Sequence, residues 1–345
     1  MEDELKVVIP AAGTGTRLFP HTFTKPKSMI YLAGKPIIGH ILDRMIDLAP
    51  AEVVLVVGYR KEQLVSYVEE NYGDRFDLTF VEQEELLGLG HSILTAREVV
   101  EGSPVMIALG DMIFRAGYLD FYRQHLSSGG DGGFAGSIGV KEVDDPRKYG
   151  MVELEDGCIR RLEEKPEHSE SRLGIAGVYF IRETPALFEV LEEMVRSGRR
   201  SRGEFQLTDA LQIMVERGFR FRVFQVSSWY DCGRTETLLA SNRVLLDELN
   251  SQGNLKNRNY TLEDSVIVPP VAIGEGSEIH NSVIGPYTSI ASSTIISKSI
   301  ISDSIIGERS SLSNVNLRSS VIGDGVNVRG KHDSLNIGDA SSIEL

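Results

Sequence analysis

Cysteine is nearly absent: the 345 residues include two, Cys158 and Cys232. That number excludes a disulfide framework and a Cys-rich metal site. Positive charge is in deficit, with 36 Lys and Arg against 50 Asp and Glu and a formal net charge of −14. A surface for nucleic acid or anionic membrane needs clustered cations, so neither is an expected partner. A nucleotide ligand needs only a few local cations and stays open. No apolar run approaches the length of a membrane span. The N-terminus is acidic and enters a strand at once, which gives no signal peptide. Cytoplasm is the expected compartment. What is present is ordinary for a soluble globular chain, 41% hydrophobic and 25% charged. The length allows two domains with real cores.

The densest chemistry lies near the start. A short apolar strand, Val7-Val8-Ile9, runs into PAAGTGTRLFPHTFTKPKSM, residues Pro10 to Met29. A strand that ends in a Gly-rich turn presents backbone N–H groups in a concave array, and such an array binds phosphate. Arg17, Lys25 and Lys27 add full charges. A plain strand-to-helix turn would also use small residues, but it would not need these cations at fixed offsets. The dinucleotide fingerprint fails, because its third glycine would fall at Leu18. The Walker A loop fails as well, because no Gly-Lys-Ser/Thr follows.

Apolar strands then alternate with helical stretches. Residues 36–48, 61–72 and 91–100 read as helices, and 52–57, 78–81 and 105–109 as strands. That alternation predicts an α/β fold, a Rossmann-like, mainly parallel sheet with helices on both faces. Ligands of such sheets sit beyond the C-terminal strand ends. Pro10–Met29 lies at one such end and Leu109-Gly110-Asp111 at another. An Asp there is an ordinary turn residue or cap by itself. Beside a phosphate loop it reads as a Mg²⁺ ligand, since Mg²⁺ takes one or two carboxylates plus phosphate oxygens.

From Gly133 the strands become shorter and more alternating, as expected of a partly antiparallel insert. Lys148-Tyr149-Gly150 opens one strand and Glu163-Glu164-Lys165-Pro166 closes another. Glu164 could hold a polyhydroxyl ligand and Lys165 its phosphate. The basic cluster Arg199, Arg200 and Arg202 reads as a solvated loop. Trp229-Tyr230-Asp231-Cys232-Gly233 follows a strand, so Asp231 is a second carboxylate able to share a Mg²⁺ with Asp111. Cys232 reads as a buried small residue. A helix over 235–249 ends this domain, 1–250, and a polar linker, 251–261, follows.

The tail, 262–345, changes character. Aliphatic residues recur at Ile267, Ile273, Ile279, Ile284, Ile290, Ile296, Ile301, Ile306, Leu312, Leu317, Ile322 and Val328, always five or six apart. That period belongs to neither helix nor ordinary strand. It predicts a hexapeptide β-helix of roughly four triangular turns. An open solenoid end and flat sides invite packing on another domain or another copy, so a homo-oligomer is expected.

These motifs together resemble one family. Gly13, Gly15, Thr16, Arg17, Pro20, Pro26 and Lys27 match the signature of the sugar-1-phosphate nucleotidyltransferases. Gln83 followed by Gly88-Leu89-Gly90-His91, then Leu109-Gly110-Asp111, Tyr149-Gly150, Glu163 to Pro166, Gly203-Glu204 and Trp229 to Gly233 occur in the order seen in glucose-1-phosphate thymidylyltransferases. The hexapeptide tail and the ending Ile337-Gly338-Asp339 to Leu345 look like the long form of that enzyme. The resemblance implies a left-handed coil and a Mg²⁺-dependent reaction. A sugar 1-phosphate, glucose 1-phosphate above all, and dTTP or UTP give a nucleotide sugar and pyrophosphate. It also implies the roles. Ala12, Gly13, Gly15 and Thr16 hold the triphosphate, Arg17 the leaving pyrophosphate, and Lys27 the α-phosphate. Asp111 and Asp231 hold Mg²⁺, Gln83 and Gly88 read the base, and Gly150, Glu164 and Lys165 bind the sugar phosphate. Two positions depart from the thymidylyltransferase pattern. Ala11-Ala12 stands where Gly usually directly precedes Gly13, and Pro26-Lys27 is closer to the uridylyltransferases. Both nucleotides therefore remain open.

Overall fold

The computed structural model describes residues 5–127, 133–253, 255 and 259–330. The sequence motifs at 337–345, His332 and part of the polar linker lie outside the described residues. The chain divides into two compact units: Met1–Ile30 with Pro36–Leu238, and Tyr31–Lys35 with Leu239–Leu345. The division falls inside the helix Thr235–Ser251, so most of that helix belongs with the tail rather than with the first domain.

The first unit is built on a sheet of nine strands. The Lys6–Pro10 strand lies between Glu52–Val57 and Val105–Ala108, parallel to both, and Leu78–Glu82 adds outside Glu52–Val57. Val7, Val8 and Ile9 are fully buried, as are Val53 to Val56, because helices cover both faces. The other half is antiparallel. Leu173–Ile181 pairs with Val105–Ala108 and with Gly136–Glu142, and the hairpin Gly150–Glu155/Cys158–Glu164 joins its first residues. Phe221–Gln225 closes that edge, parallel to Gly136–Glu142. The insert expected from the sequence is thus part of the same sheet. A two-stranded ribbon, Met112–Phe114 with Trp229–Asp231, had no counterpart in the sequence reading. Its strands are three residues long, too short to show a period.

The second unit is a parallel β-helix. Three sheets of five, four and four strands run along it, and with the family's hand the coil is left-handed. Of the twelve aliphatic positions named from the sequence, eight are buried in its core, and Ile267, Leu317, Ile322 and Val328 pack against it half-buried. Glu278 pairs with Thr261 and Ile295 with Glu278, both seventeen residues on. Later turns shorten to sixteen, as in Ile305 to Val321. Five-residue steps in the sequence account for both values.

The serine content of the tail has a structural reason. Ser282, Thr288, Thr294, Ser299, Ser304 and Ser310 each stand two positions before an inward aliphatic, and all are buried. Ser282 Oγ accepts the backbone N–H of Ser299 at 3.0 Å, one turn on, and donates to His280 O at 2.7 Å. Ser299 Oγ repeats this with Val315 N–H at 3.2 Å and Ser297 O at 2.7 Å. The corner hydroxyls thus satisfy N–H groups that the flat strands leave unpaired. The residue before each corner hydroxyl has positive φ, as at Asn281, Ser293, Lys298, Asp303 and Arg309.

Within this unit Asn242, fully buried, ties the helix to the coil. Its Oδ1 accepts Ala33 N–H at 2.9 Å and the Ser289 hydroxyl at 2.6 Å, and its Nδ2 donates to Tyr287 O at 3.2 Å. The Arg243 guanidinium forms a two-pronged pair with the Asp303 carboxylate, which holds that carboxyl below its usual range.

No described helix is long and apolar enough to cross a membrane. Two predictions follow from the coil. Ser299→Ala leaves the Val315 N–H without its acceptor and lowers unfolding free energy by about 1–3 kcal/mol in urea titration. The outward Ser297→Ala stays within about 0.5 kcal/mol. Because the folded Asp303 carboxyl is depressed, its contribution is present above the unfolded value near pH ~3.9 and is lost as pH falls through the folded one. Asp303→Asn therefore flattens the acid limb of melting temperature against pH.

Candidate active site

The cavity of the first unit opens where the parallel strands end. It measures about 390 Å³ and is lined by the loop Pro10 to Thr14, Lys27, Ser28, Gln83, Gly88, Leu109, Gly110, Asp111 and Glu204, among others. Six predicted residues thus meet in one place: Ala12, Gly13, Lys27, Gln83, Gly88 and Asp111.

The loop brings its lysine in by tight folding. Gly15 has φ +65°, and a Cβ there would lie 2.9 Å from Lys27 Cβ. The buried Thr22 hydroxyl donates to Gly15 O at 2.9 Å and fixes the turn. Lys27 is buried, and its ammonium forms an ion pair with the Asp111 carboxylate. A cation and an anion thus hold each other at the wall of one cavity. Gly13, Thr16 and Arg17 are exposed. Arg17 makes no ion pair among the described residues. Gly15, Thr16 and Arg17 are not among the lining residues.

The opposite wall is a short loop zipped to a distant segment. Phe205 N–H donates to Leu87 O at 2.8 Å, and Gly90 N–H donates to Phe205 O at 2.7 Å. Gly88 has φ +109°, and a Cβ would lie 2.7 Å from Glu204 Cβ, so only glycine fits. Gln83 is 4% exposed. Its Nε2 donates to His91 Nδ1 at 3.0 Å and to Gly88 O at 3.4 Å. Burial and the nearby Arg200 charge lower the His91 pKa, with Glu85 opposing. Two hydroxyls lining the cavity, Ser28 Oγ and Ser92 Oγ, are buried without any hydrogen-bond partner. Buried polar groups are rarely left so unless a ligand or water completes them.

Gly150, Glu164 and Lys165 form a second cluster. Glu164 Oε1 pairs with the Lys165 ammonium at 3.0 Å and Oε2 accepts the Thr208 hydroxyl at 2.6 Å. The exposed Arg202 guanidinium donates to Lys165 O. Arg200 stacks over Phe205, 4.5 Å from the ring centre. Arg199, Arg200 and Arg202 are all exposed, as a solvated loop requires, and the last two also make these contacts. The turn that carries Arg202 also carries Glu204 of the cavity wall, closed by Ser201 N–H to Glu204 O at 3.0 Å. Tyr149 lies against Trp229 with ring centres 5.5 Å apart, and the Lys141 ammonium sits 5.0 Å over the indole. Asp209 is raised by burial and by the Glu164 charge, offset by Ser201 and Arg199. Arg202, Thr208 and Asp209 were not singled out as site residues in the sequence, because their partners lie about forty residues away on another element.

Of the two proposed metal ligands, Asp231 ends one strand of the ribbon and Asp111 directly precedes the other. Asp231 pairs through its backbone with Met112, and Cys232 N–H donates to Asp111 O at 3.4 Å. Cys232 is fully buried, as expected. The side chain of Asp231 lies outside the described residues. The Asp111 carboxylate lining the cavity is a hard oxygen donor of the kind Mg²⁺ prefers.

The chain matches the family model described as "Nucleotidyl transferase" over residues 6–248. It is 30% identical to a glucose-1-phosphate thymidylyltransferase of Streptomyces antibioticus, covering 99% of both chains. It is 34% identical to the bifunctional protein GlmU of Methanococcus vannielii over 76% of this chain and 61% of that one. A solved UDP-glucose pyrophosphorylase bound to UDP-glucose superposes with a TM-score of 0.62 at 28% identity, covering 71% of this chain and 99% of that one. With the phosphate loop, the Lys27–Asp111 pair and the Gln83 wall in one cavity, the chain belongs to the nucleotidyl transferase family as a sugar-1-phosphate nucleotidyltransferase.

Proposed function

We propose that this enzyme transfers the nucleotidyl group of a pyrimidine nucleoside triphosphate, dTTP or UTP, to a hexose 1-phosphate of the glucose type, in a Mg²⁺-dependent reaction. The observation that carries the proposal is the convergence of Lys27, Asp111, Gln83 and Gly88 on one cavity. An amide side chain on one wall and a charge pair on the other match a ligand with a base at one end and phosphates at the other. The relatives named for thymidylyl transfer and for UDP-glucose support the two nucleotides equally.

The sugar phosphate oxygen attacks the α-phosphorus in line. The bond from that phosphorus to the bridging oxygen breaks, and its electron pair leaves with pyrophosphate. No covalent enzyme intermediate is needed, so the protein positions the groups and neutralises charge. Lys27 leaves Asp111 for the α-phosphate, where negative charge accumulates. Arg17, exposed beside the loop, reaches the leaving pyrophosphate and binds it through two N–H groups. The backbone of Ala12, Gly13, Gly15 and Thr16 cradles the remaining phosphate oxygens. Mg²⁺, held by Asp111 and Asp231, supplies charge neutralisation on the triphosphate when bound. Glu164, fixed by Thr208 and Lys165, accepts sugar hydroxyls over Gly150, and Lys165 holds the sugar phosphate. Arg202 supports the Lys165 corner from behind.

A hexapeptide coil is also compatible with acyl transfer that uses a histidine as base, a reading with less support here. His280, its only described histidine, hydrogen-bonds Glu263 at 3.0 Å and Glu278 at 3.4 Å through its two ring nitrogens. Those carboxylates raise its pKa. An imidazolium held at both nitrogens is a poor general base.

Pyrophosphate release with each of UTP, dTTP, CTP, ATP and GTP against several sugar 1-phosphates tests the assignment. UTP or dTTP with glucose 1-phosphate is expected to lead, and activity with purine nucleotides only would refute it. Lys27→Ala lowers kcat by about 10²–10³-fold with an unchanged circular dichroism spectrum. Asp231→Asn abolishes Mg²⁺-dependent turnover, and a fully active variant removes Asp231 from the metal site. Lys165→Ala raises KM for the sugar phosphate and leaves KM for the nucleotide in place.

A further inference from the structure

We infer that His91 sets the direction of the Gln83 amide and so decides which hydrogen-bonding edge of a nucleobase the cavity accepts. The inference rests on the proposed role of Gln83 as the base reader. An amide has a donor end and an acceptor end of nearly the same shape, so packing alone does not choose between them. At Gln83 the choice is made by partners. Nε2 meets two acceptors, His91 Nδ1 at 3.0 Å and Gly88 O at 3.4 Å, and neither bond uses Oε1. The His91 bond is the shorter and better placed.

The histidine is itself rigidly mounted. It sits on the helix Leu89–Thr95, whose start is pinned by Gly90 N–H on Phe205 O at 2.7 Å and by Ser92 N–H on Gly88 O at 3.0 Å. The Gln83 backbone is equally fixed, with its N–H on Val57 O at 2.8 Å. Only the terminal amide is left to turn.

The bond requires a lone pair on Nδ1, which neutral imidazole offers and imidazolium does not. The charged groups that act on the ring are Arg200, which favours the neutral form with burial, and Glu85, which opposes them. Near neutral pH the lone pair is therefore present. Gln83 Oε1 is then left to accept a base N–H. Uracil and thymine carry such an N–H at ring position 3, where cytosine carries a bare nitrogen. Protonation of His91 turns Nδ1 into a donor. The amide then rotates and presents its N–H groups to the base, the pattern that suits cytosine.

Four measurements on the full-length enzyme test this: KM for UTP and dTTP, competition by CTP, the pH profile, and melting temperature. His91→Leu removes the acceptor and raises KM for UTP and dTTP about tenfold, the effect falling on KM rather than kcat. Competition by CTP strengthens in the same variant. His91→Asn retains an oxygen near the Nδ1 position and restores both towards wild type. In the wild-type enzyme KM for UTP rises as pH falls through the His91 pKa, below its ordinary value, and this limb is missing from His91→Asn. A His91→Leu enzyme with wild-type KM, CTP competition and acid limb overturns the inference. Gln83→Leu separates the two levels. If it leaves preference for UTP over CTP intact, the base-reading role of Gln83 fails and His91 falls with it. If it erases the preference while His91→Leu does not, the role of His91 alone is refuted.

Discussion

The ion pair between Lys27 and Asp111 is the contact on which the site depends. It joins the end of the first loop to the end of the Val105–Ala108 strand, eighty-four residues later. Each member has a low-energy state only with an opposite charge beside it, because burying an unpaired ion is costly. A triphosphate with its cation offers both members a new partner at once. The pair holds two opposite charges at the cavity wall. Lys27 is buried and Asp111 only partly so, and both line the cavity. The cost of holding them is met by the fold around the loop, through Gly15 packed on Lys27 and Thr22 bonded to Gly15.

Much of the architecture was legible in the sequence, for identifiable reasons. Strands buried on both faces leave continuous apolar runs, so Val7–Ile9 and Val53–Val57 could be read directly. The coil was legible because inward positions recur at every turn, and the twelve named residues either form its core or pack against it. The site was legible where a motif is contiguous, as in Gly13 to Lys27. It was not legible where two distant segments meet. Arg202 is exposed, and its bond to the backbone carbonyl of Lys165 could not be read, because a carbonyl leaves no mark in the sequence. Thr208 is one more helix residue until Glu164 is placed beside it. The ribbon of Met112–Phe114 with Trp229–Asp231 escaped detection because three residues define no period.

The coil shows how a weak signal becomes strong when it is stacked. A single Ser before an aliphatic residue means little. In successive turns the same pair places a hydroxyl under the next N–H, and the left-handed residue before it turns the corner. Asn, Asp, Ser, Lys and Arg occupy those left-handed positions, at a modest cost for each residue other than glycine. The inward stack of Ile and Leu and the corner hydroxyls offset that cost along the whole length. The helix held by Asn242 and Arg243 then covers polar groups on one side of the coil, including Ser289 and Asp303. Division of the chain inside the Thr235–Ser251 helix, not after it, reflects these bonds.

The substitution of Ala for Gly at position 12 has a physical explanation in the fold. A Cβ at Gly58 would lie 2.9 Å from Ala12 Cβ, so the methyl group of Ala12 occupies the space that glycine leaves at 58. The departure from the thymidylyltransferase pattern is absorbed by the neighbouring strand end. On the proposed role of Gln83, its amide would meet an edge that uracil and thymine share, so hydrogen bonding at this residue would not divide them. What divides them at the base is one methyl group, and in an apolar pocket that is worth about 1–3 kcal/mol. Leu86 and Leu89 supply apolar lining to the cavity, and a methyl contact there would favour one nucleotide over the other by roughly 10- to 200-fold. Rejection of cytosine would be of another kind. It would leave a buried amide oxygen facing a lone pair, and an unpaired buried polar group costs more than a missing methyl contact. Under that proposal the cavity would combine strict reading of the imide edge with loose reading of the methyl group, in keeping with relatives named for thymidylyl transfer and for UDP-glucose.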